Sequence, residues 1–158
     1  MTSVSIEDRV LIRELYELFY MALNEGDADT VRSCFAPGGH VTRYDGDRVS
    51  PDGPAETGKK WAADPIGRTY QHHVTSVVVQ PDPQGREDWL KVKMYFLVTA
   101  VFEAGVTVVR WSCKSVDELR KVDGEWKYWD RYITLNDDST GPHAHPAEPH
   151  HANAGREG

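Results

Sequence analysis

Between Trp89 and Phe102 an apolar side chain falls on every second residue: Leu90, Val92, Met94, Phe96, Val98, Ala100 and Phe102. Side chains alternate across an extended chain, so these residues share one face of a single long strand. A strand with one wholly apolar face has to be laid against a core, and its neighbours have to extend the same surface. The flanking segments do so. Tyr70–Gln80 is rich in β-branched residues (Val74, Val77, Val78, Val79), and Pro81-Asp82-Pro83-Gln84-Gly85 is a turn leading to Trp89. Glu103-Ala104-Gly105 turns into Val106–Val122, and Asp123-Gly124 is a two-residue hairpin signal before Glu125–Leu135.

The N-terminal part has a different period. Leu11, Leu15, Leu18 and Ala22, with Ile12, Tyr16, Phe19 and Leu23 one residue on, recur at helical spacing and predict an amphipathic helix over residues 5–25. Ser5 followed by Asp8 marks its start and Gly26 its stop, and Asp27 caps a short second helix over 28–34. Pro37-Gly38-Gly39 is expected to end that helix. A short strand over 40–44, a loop over 46–54 and a third helix over 55–64, with Trp61 turned inwards, should follow. Helices first and hairpin-linked strands after is an α+β order, expected to give a curled antiparallel sheet wrapped against the N-terminal helix. Residues 1–136 are expected to form this domain. Residues 137–158 lack periodicity, carry His143, His145, His150 and His151, and are expected to be a disordered His-rich tail.

A length of 158 residues suits one domain, and five Trp, seven Tyr and four Phe exclude a chain that is disordered throughout. The longest apolar run, Phe96–Phe102, contains Thr99 and falls far short of the roughly 20 residues a membrane-spanning helix needs. A net charge of −7 without a basic cluster argues against nucleic acid and anionic membrane surfaces as partners. The first residues, Met1–Arg9, hold neither the basic nor the apolar stretch of an export signal. A cytoplasmic setting is therefore expected, with Cys34 and Cys113 as reduced thiols. There is no glycine-rich phosphate loop, no His-Glu-x-x-His and no Cys-x-x-Cys, and the tail histidines have no scaffold or acidic partner. No metal and no nucleotide or redox cofactor is expected.

Four stretches carry a resemblance. They are Leu15-Tyr-Glu-Leu-Phe-Tyr-Met-Ala-Leu-Asn-Glu-Gly-Asp27, Cys34-Phe-Ala-Pro37, Gln71-His-His-Val-Thr-Ser-Val-Val-Val79 and Asp117-Glu-Leu-Arg-Lys-Val-Asp-Gly-Glu-Trp-Lys-Tyr-Trp-Asp-Arg131. In this order they resemble the SnoaL-like branch of the nuclear transport factor two-like superfamily, which includes scytalone dehydratase, ketosteroid isomerase, bile-acid dehydratase and polyketide cyclases. The resemblance covers about residues 5–136. It implies an α+β cone, or barrel, whose concave side makes a deep apolar pocket, and metal-free acid/base chemistry on a small hydrophobic molecule. It does not choose the reaction, because one fold hosts many chemistries.

His72 is the first candidate for chemistry. On a regular strand it shares a face with Val74, Ser76 and Val78, with His73 on the other face unless a bulge exchanges the two. By the resemblance it matches the histidine that scytalone dehydratase-like members use as general acid/base. The alternative is a core histidine bonded to a backbone carbonyl. Asn24 stands where dehydratase members carry an aspartate. An amide cannot be a general base, so Asn24 is expected either to orient His72 or bind a substrate oxygen, or to be a polar helix end.

Tyr44 lies one residue from the family's pocket tyrosine, strict alignment giving Arg43. It is a candidate donor to a carbonyl or enolate oxygen, or else an edge tyrosine. Tyr20 lies near another pocket tyrosine of the family. Arg131 matches a position often held by arginine, and is either paired with the adjacent Asp130 or an anchor for a substrate carboxylate or enolate. Phe19, Trp61, Tyr95, Phe96 and Trp111 complete the expected substrate-binding wall, a set that also fits a ligand-free core.

The function these residues and the resemblance favour is a dehydratase, isomerase or cyclase acting on an oxygenated hydrophobic substrate, such as a polyketide or steroid-like compound. That role would lie in natural-product biosynthesis or catabolism. A second class is a non-catalytic binding or assembly subunit, as in the β-subunits of ring-hydroxylating dioxygenases. Epoxide opening ranks lower, since it needs an Asp-Arg-Asp constellation and Asp130 and Arg131 oppose each other on a regular strand. Val101, Val109, Trp111 and Trp129, read as an outward apolar face, point to a homo-oligomer, dimer or trimer.

Overall fold

Helix α1 (Ile6–Glu25) forms where its caps predict. The Ser5 hydroxyl accepts from the Asp8 N–H at 3.0 Å, and Gly26 closes the last turn at φ +73°, a left-handed conformation that glycine adopts without strain. Its buried stripe is Ile12, Leu15, Tyr16, Phe19, Tyr20, Ala22 and Leu23. Leu11 and Leu18, expected on the apolar face, are exposed. A helix resting on one surface buries a stripe about 100° wide, and the two-row face in the sequence is wider than that. Helix α2 (Ala28–Ser33) starts under Asp27, whose carboxylate accepts from the Thr30 N–H at 3.1 Å. Helix α3 (Asp52–Ala63) begins at Asp52 rather than Ala55, inside the segment read as a loop.

The computed structural model describes residues 4–42, 46–102 and 105–135. Tyr44 and the expected tail lie outside the described residues. One sheet holds β1 (Phe35–Thr42), β2 (Arg48–Val49), β3 (Gln71–Pro81), β4 (Trp89–Val101), β5 (Thr107–Val122) and β6 (Glu125–Leu135) in the order β2-β1-β6-β5-β4-β3. It curls around α1 without closing, and its concave face and α1 bury the core between them. Strands β3 to β6 run antiparallel as predicted.

The sheet is nevertheless mixed, because β1 lies parallel to β6. A parallel neighbour requires a long crossover connection, and everything from β2 to β5 supplies it. Strand β1 also begins at Phe35, so Pro37-Gly38-Gly39 sits within it instead of stopping a helix. The breaker residues still act locally. Gly38 takes φ +81°, a Cβ on Gly39 would meet the Tyr128 carbonyl oxygen at 2.5 Å, and the β1–β6 register shifts between Phe35 and His40. The result is a bulge, which only glycine permits at this spacing.

Three further bulges decide which side chains face the concave side. In β3, Val74 pairs with Phe96 and Ser76 with Tyr95, so Thr75 is extra. Val77 and Val79 therefore continue the His72–Val74 face, and Ser76 and Val78, expected there, turn outwards. In β5, Val98 pairs with Trp111 but Thr99 with Val109, which leaves Arg110 extra. Trp111 thus turns inwards and Val109 outwards, correcting the expectation that both lie on the outer face. In β6, Asp130 pairs with Glu118 and Tyr128 with Leu119, with Trp129 extra. Tyr128 and Arg131 consequently both point into the core.

Candidate functional site

Between α1, α3 and the concave sheet face lies a cavity of about 360 Å³. Helix α1 contributes Phe19, Tyr20 and Leu23, β4 contributes Phe96 and Val98, and β5 contributes Trp111 and Cys113. Ile133, Thr134 and Leu135 come from β6, Val41, Thr42 and Val49 from the β1–β2 ribbon, and Pro54, Thr57 and Trp61 from α3. His72 of β3 completes the wall. The volume lies at the lower end of the range for small-molecule pockets, and the lining is predominantly apolar, as such pockets require.

The sequence brings His72 and Asn24 together from 48 residues apart: the imidazole Nδ1–H donates to Asn24 Oδ1 at 2.6 Å. An amide oxygen can only accept, so Nδ1 carries the proton and Nε2 keeps its lone pair. His72 stacks on Tyr20 with centroids 4.6 Å apart and planes at 16°, and on Trp61 at 5.8 Å and 28°. Trp61 in turn stacks on Trp111 at 6.1 Å and 27°. Burial first, and then the Arg131 charge and the His73 ring, lower the His72 imidazole to about 3. The ring is thus neutral at neutral pH. It is a satisfied histidine, but its partner is a side-chain amide rather than the backbone carbonyl considered above. His73 faces outwards, with Nε2 3.0 Å from Thr99 Oγ1.

Tyr20 is buried, and its oxygen accepts from Arg131 Nη2 at 3.0 Å. Burial pushes the phenol well above its ordinary value, so it stays protonated. Arg131 itself does not line the cavity. It lies behind Tyr20, wholly buried, with its guanidinium 4.5 Å from the Phe19 ring centre and 4.3 Å from that of Tyr128. Its counter-ion is Asp117, Nε to Oδ1 3.5 Å, and not the adjacent Asp130. Burial opposes the Arg131 charge, but Asp117 and the surrounding phenols hold its pKa well above the ordinary value.

Ser115 donates to Asp117 Oδ2 at 2.9 Å, and Tyr16 donates to the same oxygen. Asp130 accepts instead from Thr42 Oγ1 at 2.7 Å, with His40 Nε2 3.4 Å away. Strand alternation separates the two neighbours and the Trp129 bulge turns Arg131 rather than Asp130 inwards, so the ion pair expected for Arg131 forms with Asp117 and the substrate-anchor reading is corrected. An Asp-Arg-Asp set at the cavity is absent among the described residues.

Tyr95 is a second correction. It is 54% exposed on the outer face, since strand alternation cannot turn both Tyr95 and Phe96 inwards. Phe19, Tyr20, Trp61, Phe96 and Trp111 do meet at the cavity as expected. The sequence reading missed Thr42, Thr57 and the Ile133–Leu135 end of β6. Alternation counted outwards from Arg131 finds Ile133 and Leu135 once Arg131 is known to point inwards. Thr42 and Thr57 carry no such signal.

A second, more open depression of about 750 Å³ uses the other side of the β1–β2 ribbon, taking His40 and Arg48 where the cavity takes Val41 and Val49. Its Arg32 is held by Asp29, Asp52 and Glu56. Among the described residues no group of three His, Cys, Asp or Glu side chains converges as a metal site, and no helix is long and apolar enough to cross a membrane.

The fold and the cavity define the class. The chain belongs to the SnoaL-like domain family, whose model matches residues 4–132. Among solved structures it is similar to Aln2 from a Streptomyces species, at 19% identity over 86% of this chain and 96% of that one, TM-score 0.72. It is similar to a candidate scytalone dehydratase from Novosphingobium aromaticivorans, at 15% identity over 84% and 86% of the two chains, TM-score 0.67. An NTF2-like protein with a cystatin-like fold, also from Novosphingobium aromaticivorans, matches at 18% identity over 84% of each chain, TM-score 0.69. At these identities the likeness is one of fold. A comparison with curated proteins gives no match.

Proposed function

We propose that the chain is an acid/base enzyme of the dehydratase, isomerase or cyclase kind. Its substrate would be a small hydrophobic molecule that carries oxygen, such as a polyketide or steroid-like compound. One observation carries this: Asn24 takes the Nδ1–H of His72, which leaves the Nε2 lone pair as the ring's basic atom at an apolar cavity. In the dehydratase form His72 Nε2 removes a proton from the carbon beside a carbonyl. The electron pair of that C–H bond passes to the carbonyl oxygen as an enolate. Tyr20, held neutral, donates its proton into a hydrogen bond with that oxygen. The enolate then collapses, the C–O bond to a β-hydroxyl breaks, and the proton on His72 leaves with it as water. Imidazolium is disfavoured in the empty cavity, and the enolate supplies the counter-charge that Asn24 lacks. Tyr44, outside the described residues, remains a proposed second donor.

The Asn24 amide also favours a second reading, a binding protein without turnover, because no carboxylate among the described residues stabilises a protonated His72. One experiment separates them. A bicyclic β-hydroxy ketone is incubated with wild type and with His72→Phe, and enone absorbance is followed. Enone formation by the wild type and its loss in the variant support catalysis. Binding of the ketone with no enone from either protein supports the binding role.

A further inference from the structure

Among the described residues that line the cavity, none carries a charge at neutral pH, although 27% of the chain is charged and its net charge is −7. Two features keep the chamber neutral. Asn24 accepts the Nδ1–H of His72 at 2.6 Å, a bond a carboxylate would accept equally well, and it does so without adding a charge. The cation behind the wall is closed off: Arg131 is wholly buried, with Nη2 on Tyr20 and Nε facing Asp117. A carboxylate or phosphate entering this space would lose its water and meet no counter-ion among the described lining residues.

Of the other polar side chains on the wall, Tyr20, Thr42, Thr57, Cys113 and Thr134, two have their hydroxyl protons already bound. Thr42 spends its hydroxyl proton on Asp130, and Thr57 spends its own on the Gly53 carbonyl. The Nδ1 proton of His72 is likewise taken, so the ring offers a ligand only an acceptor. An acceptor in an apolar wall goes unpaired unless the ligand brings a hydrogen.

Resting on the acid/base reading of this cavity, we propose that the Asn24–His72 pair selects an uncharged ligand that donates a hydroxyl hydrogen to His72 Nε2, and that the cavity refuses carboxylates. Phosphates fall under the same refusal. A negatively charged handle, where a substrate has one, stays outside the chamber.

The test uses three probes of one shape that two-ring space accommodates: naphthalene, 2-naphthol and 2-naphthoate. Their affinities for the full-length wild type are measured by equilibrium dialysis at pH 7.5. One neutral hydrogen bond is worth about two- to twelvefold in affinity. 2-Naphthol is therefore expected to bind at least twofold tighter than naphthalene, and 2-naphthoate at least tenfold weaker than 2-naphthol. His72→Phe should erase the preference for 2-naphthol over naphthalene. If that variant fails to fold, the three-probe comparison on the wild type decides by itself. A 2-naphthoate affinity within tenfold of 2-naphthol overturns the proposal, as does a 2-naphthol affinity less than twice that of naphthalene. If no probe binds, this proposal and the acid/base reading fall together. If 2-naphthoate binds well while the wild type still forms enone, only this proposal falls.

Discussion

Replacing Asn24 by aspartate would put a carboxylate where the amide oxygen now sits, 2.6 Å from His72 Nδ1. An opposite charge at that range favours the protonated ring and moves its pKa by about 1–3 units. His72, now at about 3, should therefore rise in Asn24→Asp, and burial and Arg131 still hold it below its ordinary 6.5. The sign for stability follows from the direction of the shift. The unfolded chain takes the proton near 6.5 while the folded chain refuses it until about 3. Stability contributed by neutral His72 is complete above 6.5 and is lost as pH falls towards 3, at up to about 1.4 kcal/mol per pH unit.

Between pH 7.5 and 4.5 that amounts to about 3 kcal/mol from this ring alone. In Asn24→Asp much of that loss should vanish, and in His72→Phe all of it. Two assays check this. Nuclear magnetic resonance titration of the His72 Cε1–H gives the pKa directly. Urea unfolding at pH 7.5 and 4.5, with His72→Phe as the control for every other titrating group, gives the energy. A wild-type His72 that titrates near 6.5 would refute the electrostatic account of the cavity. So would an acid slope that His72→Phe leaves intact.

Arg131→Met leaves Asp117 buried without its counter-ion and should cost about 3–5 kcal/mol in urea unfolding, with Asp117→Leu added on top recovering most of the loss. A single-variant cost under about 1 kcal/mol would mean that the pair is not a core element. We also propose that a second copy of the chain covers the outer sheet face, where Val78, Tyr95 and Val109 are each more than half exposed. Light scattering should then show an oligomer for the wild type and a monomer for Tyr95→Lys combined with Val109→Lys. A monomeric wild type at micromolar concentration removes the proposal.

Much of the architecture follows from local physics. The alternation from Leu90 to Ala100 places β4 and its buried face correctly, and Ser5, Gly26 and Asp27 bracket α1 and start α2 because caps act over a single turn. Asp123-Gly124 makes its hairpin with both residues at positive φ, again a local demand. His72 stands out as a candidate through the family resemblance rather than through local physics, and of the three roles open to Asn24 the fold selects the contact with His72.

Only tertiary structure decided which side chains share the chamber. Alternation assigns faces within an unbroken strand, but each bulge at Thr75, Arg110 or Trp129 reverses the assignment for everything beyond it. That reversal sends Trp111 inwards, sends Ser76 and Val78 outwards, and turns Arg131 inwards onto Asp117. A bulge is a mismatch between two strands, so neither strand's residues announce it. The parallel seating of β1 on β6 is of the same kind, since it joins residues some ninety positions apart. Periods, caps and turns are written in neighbouring residues and can be read there; register and the charge balance of a buried cavity arise only when distant segments meet.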